Sequence, residues 1–352
     1  MDIGINKRKT EHIRLCLDEN VEGINKTTGL EGISFIHNAL PEIDFKDIKL
    51  DSTFLGKKIK VPFLVSSMTG GSELAEEING NLAKAAEQKG WAIALGSTRA
   101  LLESDAHKDS FLVRQHAPTA PLIANIGAVQ FNYGYGAEEC QRIVDLTEAD
   151  SIVLHLNSLQ EINQDEGDTN FHELLPKIEE VCKKLTVPVG VKEVGFGIDG
   201  TVARRLYDAG ISYIDVAGAG GTSWSQVEKL RSKEPLRKAA AEAFNSWGIP
   251  TKDCIVSVRS ELGSTVPVVA SGGMKTGVDA AKALTIGADV IGFARKLLQA
   301  ATESEEAVIE AMEQIELELK MTMFGIGVKT IDELKNTNRV SIMGRSLLNG
   351  KS

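Results

Sequence analysis

Residues 267–295 read PVVASGGMKTGVDAAKALTIGADVIGFAR. The stretch holds a proline, a short apolar run, a Ser-Gly-Gly turn, a helical pattern and a second apolar run. Proline is tolerated at the first residue of a strand, where the missing N–H costs little. Val278, Ala281 and Leu284 recur at helical spacing and lead to Gly287, the residue expected just past a helix end. The unit therefore reads strand, glycine turn, helix, strand.

Working outward, the same unit returns. Pro62, Pro121 and Pro188 open PFLVSS, PLIANIG and PVGVKEVG. Between the four proline-led runs lie four without proline, at Trp91–Leu95, Ser151–His155, Tyr213–Val216 and Asp289–Phe293. Continuous apolar runs of this length suit strands buried on both faces of a parallel sheet. The gaps carry helical patterns. Leu74, Ile78 and Leu82 precede Gly90, Val202 and Leu206 precede Gly210, and Val308, Met312, Ile315 and Leu319 share one face. Eight strands alternating with helices predict an α/β fold, a (β/α)8 TIM barrel of about 250 residues rather than an open doubly wound sheet. We place an N-terminal extension at residues 1–60, the barrel at 61–321 and a C-terminal tail at 322–352. Residues 219–250 form a long excursion after strand six, read as either a lid or a subunit contact.

Composition narrows the function. The chain has 352 residues, with 39 Lys and Arg against 49 Asp and Glu, a net charge of −10. An acidic balance argues against a general nucleic-acid binder. No run approaches the roughly 18 apolar residues of a membrane span, and the start has no signal-peptide core. Cys16, Cys140, Cys182 and Cys254 are far apart, which fits a reducing, cytoplasmic setting.

The C-terminal ends of barrel strands build the site. Those ends carry Ser66 to Gly71, Gly96 to Arg99, Asn125, His155 with Asn157, Lys192, Gly218 to Thr222, Ser271 to Gly273 and Gly292 to Arg295. Ser271-Gly272-Gly273 before a helix near Thr276 reads as a phosphate site, its backbone N–H groups aided by the helix dipole. The alternative is a tight turn alone. Lys192 can stabilise a developing anion or simply snorkel to solvent. His155 and Asn157 point the same way, and Glu161 is either a magnesium ligand or a helix-start carboxylate. Lys7-Arg8-Lys9 with His12 makes a local basic patch that suits a diphosphate or a solvated face.

Taken together, Arg8-Lys9-x-x-His12, Ser67-Met-Thr-Gly-Gly71, Gly96-Ser97, His155-Leu-Asn157 with Gln160-Glu161, Val191-Lys-Glu193, Gly220-Gly-Thr-Ser-Trp224 and Ser271-Gly-Gly273 resemble the flavin-dependent type 2 isopentenyl-diphosphate isomerases over nearly the whole chain. The resemblance implies FMN used in the reduced state, NAD(P)H as reductant and Mg2+ with the substrate diphosphate. It implies interconversion of isopentenyl and dimethylallyl diphosphate in isoprenoid biosynthesis, by a 1,3-allylic proton shift with no net redox change. By similarity, Met68, Thr69, Ser97, Asn125, Lys192 and Thr222 contact FMN, with Gly272, Gly273, Ala294 and Arg295 around its phosphate. Arg8, Lys9, Arg99, His155 and Asn157 hold the substrate, Gln160 lies near the reacting carbons and Glu161 binds magnesium. The family forms tetramers or octamers.

A neutral amide has a poor pKa for a primary acid, so Gln160 orients or relays while the reduced flavin carries the proton. Lys192 holds the flavin anion. A 2-hydroxy-acid oxidase would leave the basic motif and Gln160-Glu161 without purpose. An inosinate-type dehydrogenase needs a cysteine in the loop at 218–224, where none stands. A non-catalytic flavin-binding protein would show cofactor without turnover.

Overall fold

The computed structural model describes residues 2–104 and 108–342, apart from the side chains of residues 2–7. The Lys7 side chain of the basic patch and residues 343–352 of the expected tail lie outside that description. Helix α1 (Asp2–Asp18) opens the chain, followed by β1 (Ile33–Phe35), β2 (Ser52–Phe54) and β3 (Lys57–Ile59). The barrel then begins with β4 (Phe63–Val65), α2 (Glu73–Lys89), β5 (Ala92–Ala94), α3 (Arg99–Glu103), β6 (Leu122–Gly127) and α4 (Ala137–Thr147). It continues through β7 (Ser151–His155), α5 (Ser158–Asn163), α6 (Leu174–Lys184), β8 (Val189–Lys192), α7 (Gly200–Asp208) and β9 (Tyr213–Asp215). Next come α8 (Trp224–Arg231), α9 (Pro235–Glu242), α10 (Thr251–Leu262), β10 (Val268–Ala270), α11 (Gly277–Thr285), β11 (Val290–Phe293) and α12 (Arg295–Ala301). The described chain ends with α13 (Glu305–Ile326), α14 (Ile331–Lys335) and β12 (Val340–Ile342).

Strands β4 to β11 pair in sequence order, all parallel, and β11 returns to β4 to close the barrel. Each of the four prolines sits one residue before its strand. Its carbonyl still serves the ladder: Pro62, Pro121, Pro188 and Pro267 accept from Ile291, Ile93, Ile152 and Ile214 at 2.9, 2.9, 3.2 and 3.0 Å. Only the donor is forfeited, at a position where a donor is dispensable. Register brings His155 beside Lys192 and Lys192 beside Asp215 across β7, β8 and β9, at the end of the barrel that β strands reach last.

Two features outside the barrel strands shape the molecule. The β2–β3 hairpin closes the opposite end, where Phe54 and Ile59 join Leu64, Ile123, Tyr213 and Val269 in the barrel interior. The Phe54 and Tyr213 rings meet edge to face at 5.5 Å. Phe54→Ala is expected to cost about 3–5 kcal/mol, because the surrounding strands cannot collapse into the void. Urea unfolding followed by circular dichroism measures it. A loss under about 1 kcal/mol would show that the hairpin is no plug. Separately, β1 pairs antiparallel with β12, so the N-terminal segment and the end of the chain share one ribbon.

Some details depart from the sequence reading. Val202 and Val278 belong to the expected helices but face outward, at 36% and 40% exposure. Helix α13 runs unbroken across residue 321, so no break falls at the expected start of the tail. The excursion at 219–250 folds into α8 and α9, with α8 packed on α1 and α5.

Candidate active site

A cavity of about 640 Å³ opens at the C-terminal ends of the barrel strands. Its wall contains the strand-end and basic residues singled out above. Arg8, Lys9, Met68, Thr69, Ser97, Arg99, Asn125, His155, Asn157, Gln160, Glu161, Lys192, Thr222, Gly272, Gly273, Ala294 and Arg295 all line it. The cavity has two chemically distinct sides.

On the first side, the Gly218–Gly220 and Gly272–Gly273 loops meet backbone to backbone. Gly272 has φ +96°, a left-handed conformation that disfavours other residues, and a Cβ there would lie 2.1 Å from the Gly218 carbonyl oxygen. A Cβ on Gly273 would lie 2.4 Å from the Gly220 oxygen. Among the described residues no protein acceptor faces the N–H groups of Gly272 and Gly273. The start of α11 is partly occupied, since Thr276 caps Asp279 N, Asp279 accepts from Thr276 N, and Gly277 N donates to Glu318. The glycine turn, by contrast, keeps its N–H groups open to the cavity. The Arg295 guanidinium is likewise engaged, donating to the carbonyls of Cys16 and Glu19 at the end of α1 at 2.9 and 3.1 Å.

Nearby, the Ser66 and Ser67 hydroxyls are buried and have no partner. Orphaned hydroxyls, a glycine turn with open N–H groups and a buried lysine fit a phosphorylated, polar-edged ring cofactor such as FMN. The Lys192 ammonium, at 7% exposure, donates to the Glu193 carbonyl at 2.6 Å.

The second side is cationic. Helix α1 lays Arg8 and Lys9 beside Arg99. Burial destabilises the Arg8 charge and Arg99 repels it, with Glu161 and Glu228 opposing. Lys9 donates to the Ser97 carbonyl at 3.0 Å and lies over the Phe111 ring. Burial, then Arg8 and Arg99, hold its pKa down to about 7. Arg99 is anchored by Asp168 at 3.0 Å and Glu103 at 3.3 Å. Three mutually repelling cations on one wall suit a multiply charged anion.

Burial, then Lys192, Lys9 and Arg99, push the His155 pKa down to about 3. The ring is neutral and shares a 2.7 Å hydrogen bond between its Nδ1 and Asn125 Oδ1. Asn157 donates to Glu161 Oε1 at 2.7 Å and to Gln160 Oε1 at 3.3 Å, while its own Oδ1 is buried without a partner. Burial raises the Glu161 pKa against the Asp168 N–H, which donates to Oε2 at 2.8 Å. Each Glu161 oxygen keeps a lone pair. Among the described residues no three His, Cys, Asp or Glu side chains cluster to cage a metal. One carboxylate beside a cationic anion receptor suits Mg2+ carried by a diphosphate, a common mode for that ion.

The pH behaviour of Lys9 is testable. Its ordinary value is 10.5, so in the free protein it loses its charge as pH rises through about 7. kcat/KM for a diphosphate substrate is expected to fall up to about tenfold per pH unit above about 7, since that ratio reports free-enzyme groups. Lys9→Gln should flatten this limb. By the same shift the buried charge destabilises the fold below about pH 7, and that cost is relieved as pH climbs toward 10.5.

Sequence reasoning missed Glu228 on α8. It is 1% exposed, accepts from His12 Nε2 at 3.0 Å and from Gln160 Nε2 at 3.4 Å, and pairs with Arg231. Burial pushes its carboxyl up, yet His12 and Arg231 hold it below the ordinary carboxylate value. Gln130 and Asp168 were also missed, and they join through a 2.8 Å hydrogen bond. The Ser67 hydroxyl was legible as a polar strand end. Glu228 had no local signal. Cys16 lines the cavity too, but burial raises its thiol to about 11, so no nucleophilic thiolate is available near neutrality.

Residues 156–341 match the FMN-dependent dehydrogenase family. The chain is 78% identical over 348 residues, 99% of each chain, to the isopentenyl-diphosphate delta-isomerase of Oceanobacillus iheyensis. It is 48% identical over 94% of each chain to that of a Nostoc species. The flavin-binding domain of baker's yeast flavocytochrome b2 superposes with a TM-score of 0.66 at 19% identity, covering 90% of this chain and 77% of that one, a likeness of fold. With a glycine-turned barrel mouth on one side, a triad of cations on the other and full-length relatives of this kind, the chain belongs to the flavin-dependent type 2 isopentenyl-diphosphate delta-isomerases.

Proposed function

We propose that this isomerase moves a proton across the allyl unit of isopentenyl diphosphate, giving dimethylallyl diphosphate, with FMN on the glycine side of the cavity and the diphosphate on the cationic side. The observation that carries the reading is the convergence of Arg8, Lys9 and Arg99 on the cavity that Lys192 and the Gly272–Gly273 turn also line. Met68, Thr69, Ser97, Asn125 and Thr222 would hold the ring, with the backbone of Gly272, Gly273, Ala294 and Arg295 at its phosphate. Reduced FMN, when bound, supplies negative charge next to an alkene gaining positive charge and an atom able to give and take a proton.

The protein residues do the rest. Arg8, Lys9 and Arg99 bind the diphosphate, and this remote binding energy fixes the alkene in place. His155 is neutral and serves as a hydrogen-bonding group. Asn157 orients both Glu161 and the Gln160 amide, and the Gln160 Nε2 is turned toward Glu228. Gln160 thereby positions the reacting carbons, while Glu161 would complete the shell of a diphosphate-borne Mg2+. Trp224 and Met68 supply apolar wall that keeps water from the developing cation.

NAD(P)H as the reductant, a cytoplasmic setting and a tetramer or octamer complete the reading. So does the division into an extension at 1–60 carrying the basic motif, a barrel and a tail. Among the described residues no helix is long and apolar enough to cross a membrane. Exposed Leu230, Leu236 and Trp247 around α8 and α9 support a subunit contact there.

The test incubates purified, FMN-loaded protein with Mg2+ and isopentenyl diphosphate, with and without prior reduction by NADPH. Dimethylallyl diphosphate should form only after reduction. Equal turnover by the oxidised protein would overturn the proposal, as would oxygen uptake with a 2-hydroxy acid.

A further inference from the structure

The residue after Lys192 is a buried glutamate to which the mechanism gives no task. Glu193 is 9% exposed and turns its carboxylate back under its own loop. There a single oxygen, Oε2, accepts from four successive backbone N–H groups: Val194 at 2.7 Å, Gly195 at 2.8 Å, Phe196 at 2.5 Å and Gly197 at 3.1 Å. Successive N–H groups converging on one point form an anion-binding nest. This nest is filled from within. The turn requires φ +133° at Gly195 and +90° at Gly197, and it is hemmed in on both sides. A Cβ on Gly195 would lie 2.6 Å from the Thr222 oxygen, and one on Gly197 2.5 Å from the Cys254 sulfur.

The turn controls one object in the cavity. The Glu193 peptide is gripped at its N–H by the Asp215 carbonyl at 3.3 Å, and its own carbonyl accepts from Lys192 Nζ at 2.6 Å. The cavity wall beyond it is Val194 and Gly195. The orientation of that carbonyl therefore decides where the ammonium sits, and the folded-back carboxylate holds the loop that carries the carbonyl.

We propose that Glu193 is the positioning residue for Lys192: its carboxylate collects the four N–H groups of the 194–197 turn so that the Glu193 carbonyl fixes the lysine ammonium at the cavity wall. This rests on the reading that Lys192 faces the FMN ring. Without the carboxylate, four donors of the turn, that of Phe196 buried and the others partly so, lose their acceptor, the turn relaxes and the ammonium moves. A buried donor without a partner is costly, and a loop that loses one acceptor for four donors at once rearranges to find others.

The experiment compares Glu193→Ala, Glu193→Gln and Lys192→Met with the parent. It reads FMN affinity by fluorescence titration, the reduction potential of bound FMN and the melting temperature. E193A is expected to bind FMN about tenfold more weakly and to shift the potential in the same direction as K192M. Added acetate or formate should restore both in E193A, by refilling the nest, and should do nothing for K192M. E193Q fills the same space and carries the comparison if E193A does not fold. It should show the same direction of shift with a smaller loss of melting temperature. The proposal is overturned if the Glu193 variants melt lower yet keep the parent potential and affinity while K192M shifts both. If K192M itself changes neither, the assignment of Lys192 to the cofactor is what fails. The acetate effect on melting temperature would then still report the nest alone.

Discussion

Replacing Lys192 with methionine is expected to slow isomerisation by about two to three orders of magnitude while the barrel stays folded. The sign of the effect carries the argument. An allylic proton shift passes through positive charge on carbon, and a lysine beside that carbon would oppose it. Lys192 can help only by stabilising an anion lying between itself and the alkene. Methionine has nearly the same length and removes the charge alone. Loss of rate with weaker FMN binding therefore places the lysine against the cofactor, whereas a faster enzyme would place it against the substrate and sink the assignment. A second readout is independent of turnover. Lys192 is, after burial, the foremost cause holding His155 down near 3. In K192M the His155 pKa should rise, which NMR titration of the imidazole measures directly. An unchanged value would mean that the two side chains do not share one field.

The barrel was legible because its strands are short apolar runs, every other one opened by proline, that end in polar or glycine residues. Each feature follows from a local rule about donors or burial. Gly90, at φ +69°, ends α2 for an equally local reason. The site was legible to the degree that it lies at strand ends, where Asn125, His155 and Lys192 interrupt apolar stretches that would otherwise continue. The rest depends on contacts between distant segments. Nothing in Ser52–Ile59 announces a barrel plug, since the role of Phe54 exists only once Tyr213 stands opposite. Strands β1 and β12 pair across about 300 residues of chain and have three residues each. The Thr276–Asp279 capping box, which occupies part of the α11 terminus, was readable from its spacing. Glu228 is the opposite case. It lies in an excursion whose helix could have faced solvent, and the packing of α8 on α1 and α5 turns it inward.

That inward position makes Glu228 the latch of the substrate side. Helix α1 delivers Arg8 and Lys9, and the polar contacts that hold it include Lys9 to the Ser97 carbonyl, His12 to Glu228, Glu11 to Arg231 at 3.3 Å, and the Cys16 carbonyl to Arg295. Glu228 balances Arg231, which is only 17% exposed at its side chain, and it fixes His12 against the Trp224 ring 5.0 Å away. Glu228→Ala leaves that arginine without its buried counter-charge, a loss of the kind that costs about 3–5 kcal/mol. Because the cost falls on the α1 docking surface, KM for isopentenyl diphosphate should rise about a hundredfold while FMN affinity stays near that of the parent. Glu228→Gln keeps an acceptor for His12 and Arg231 but no charge, so its KM should lie between the two. kcat should fall in E228A, because Gln160 loses the acceptor that turns its amide, and fall less in E228Q, which keeps one. A KM within about twofold of the parent in E228A would show that α1 docks without this carboxylate. Loss of FMN instead of substrate would show that Glu228 serves the glycine side of the cavity.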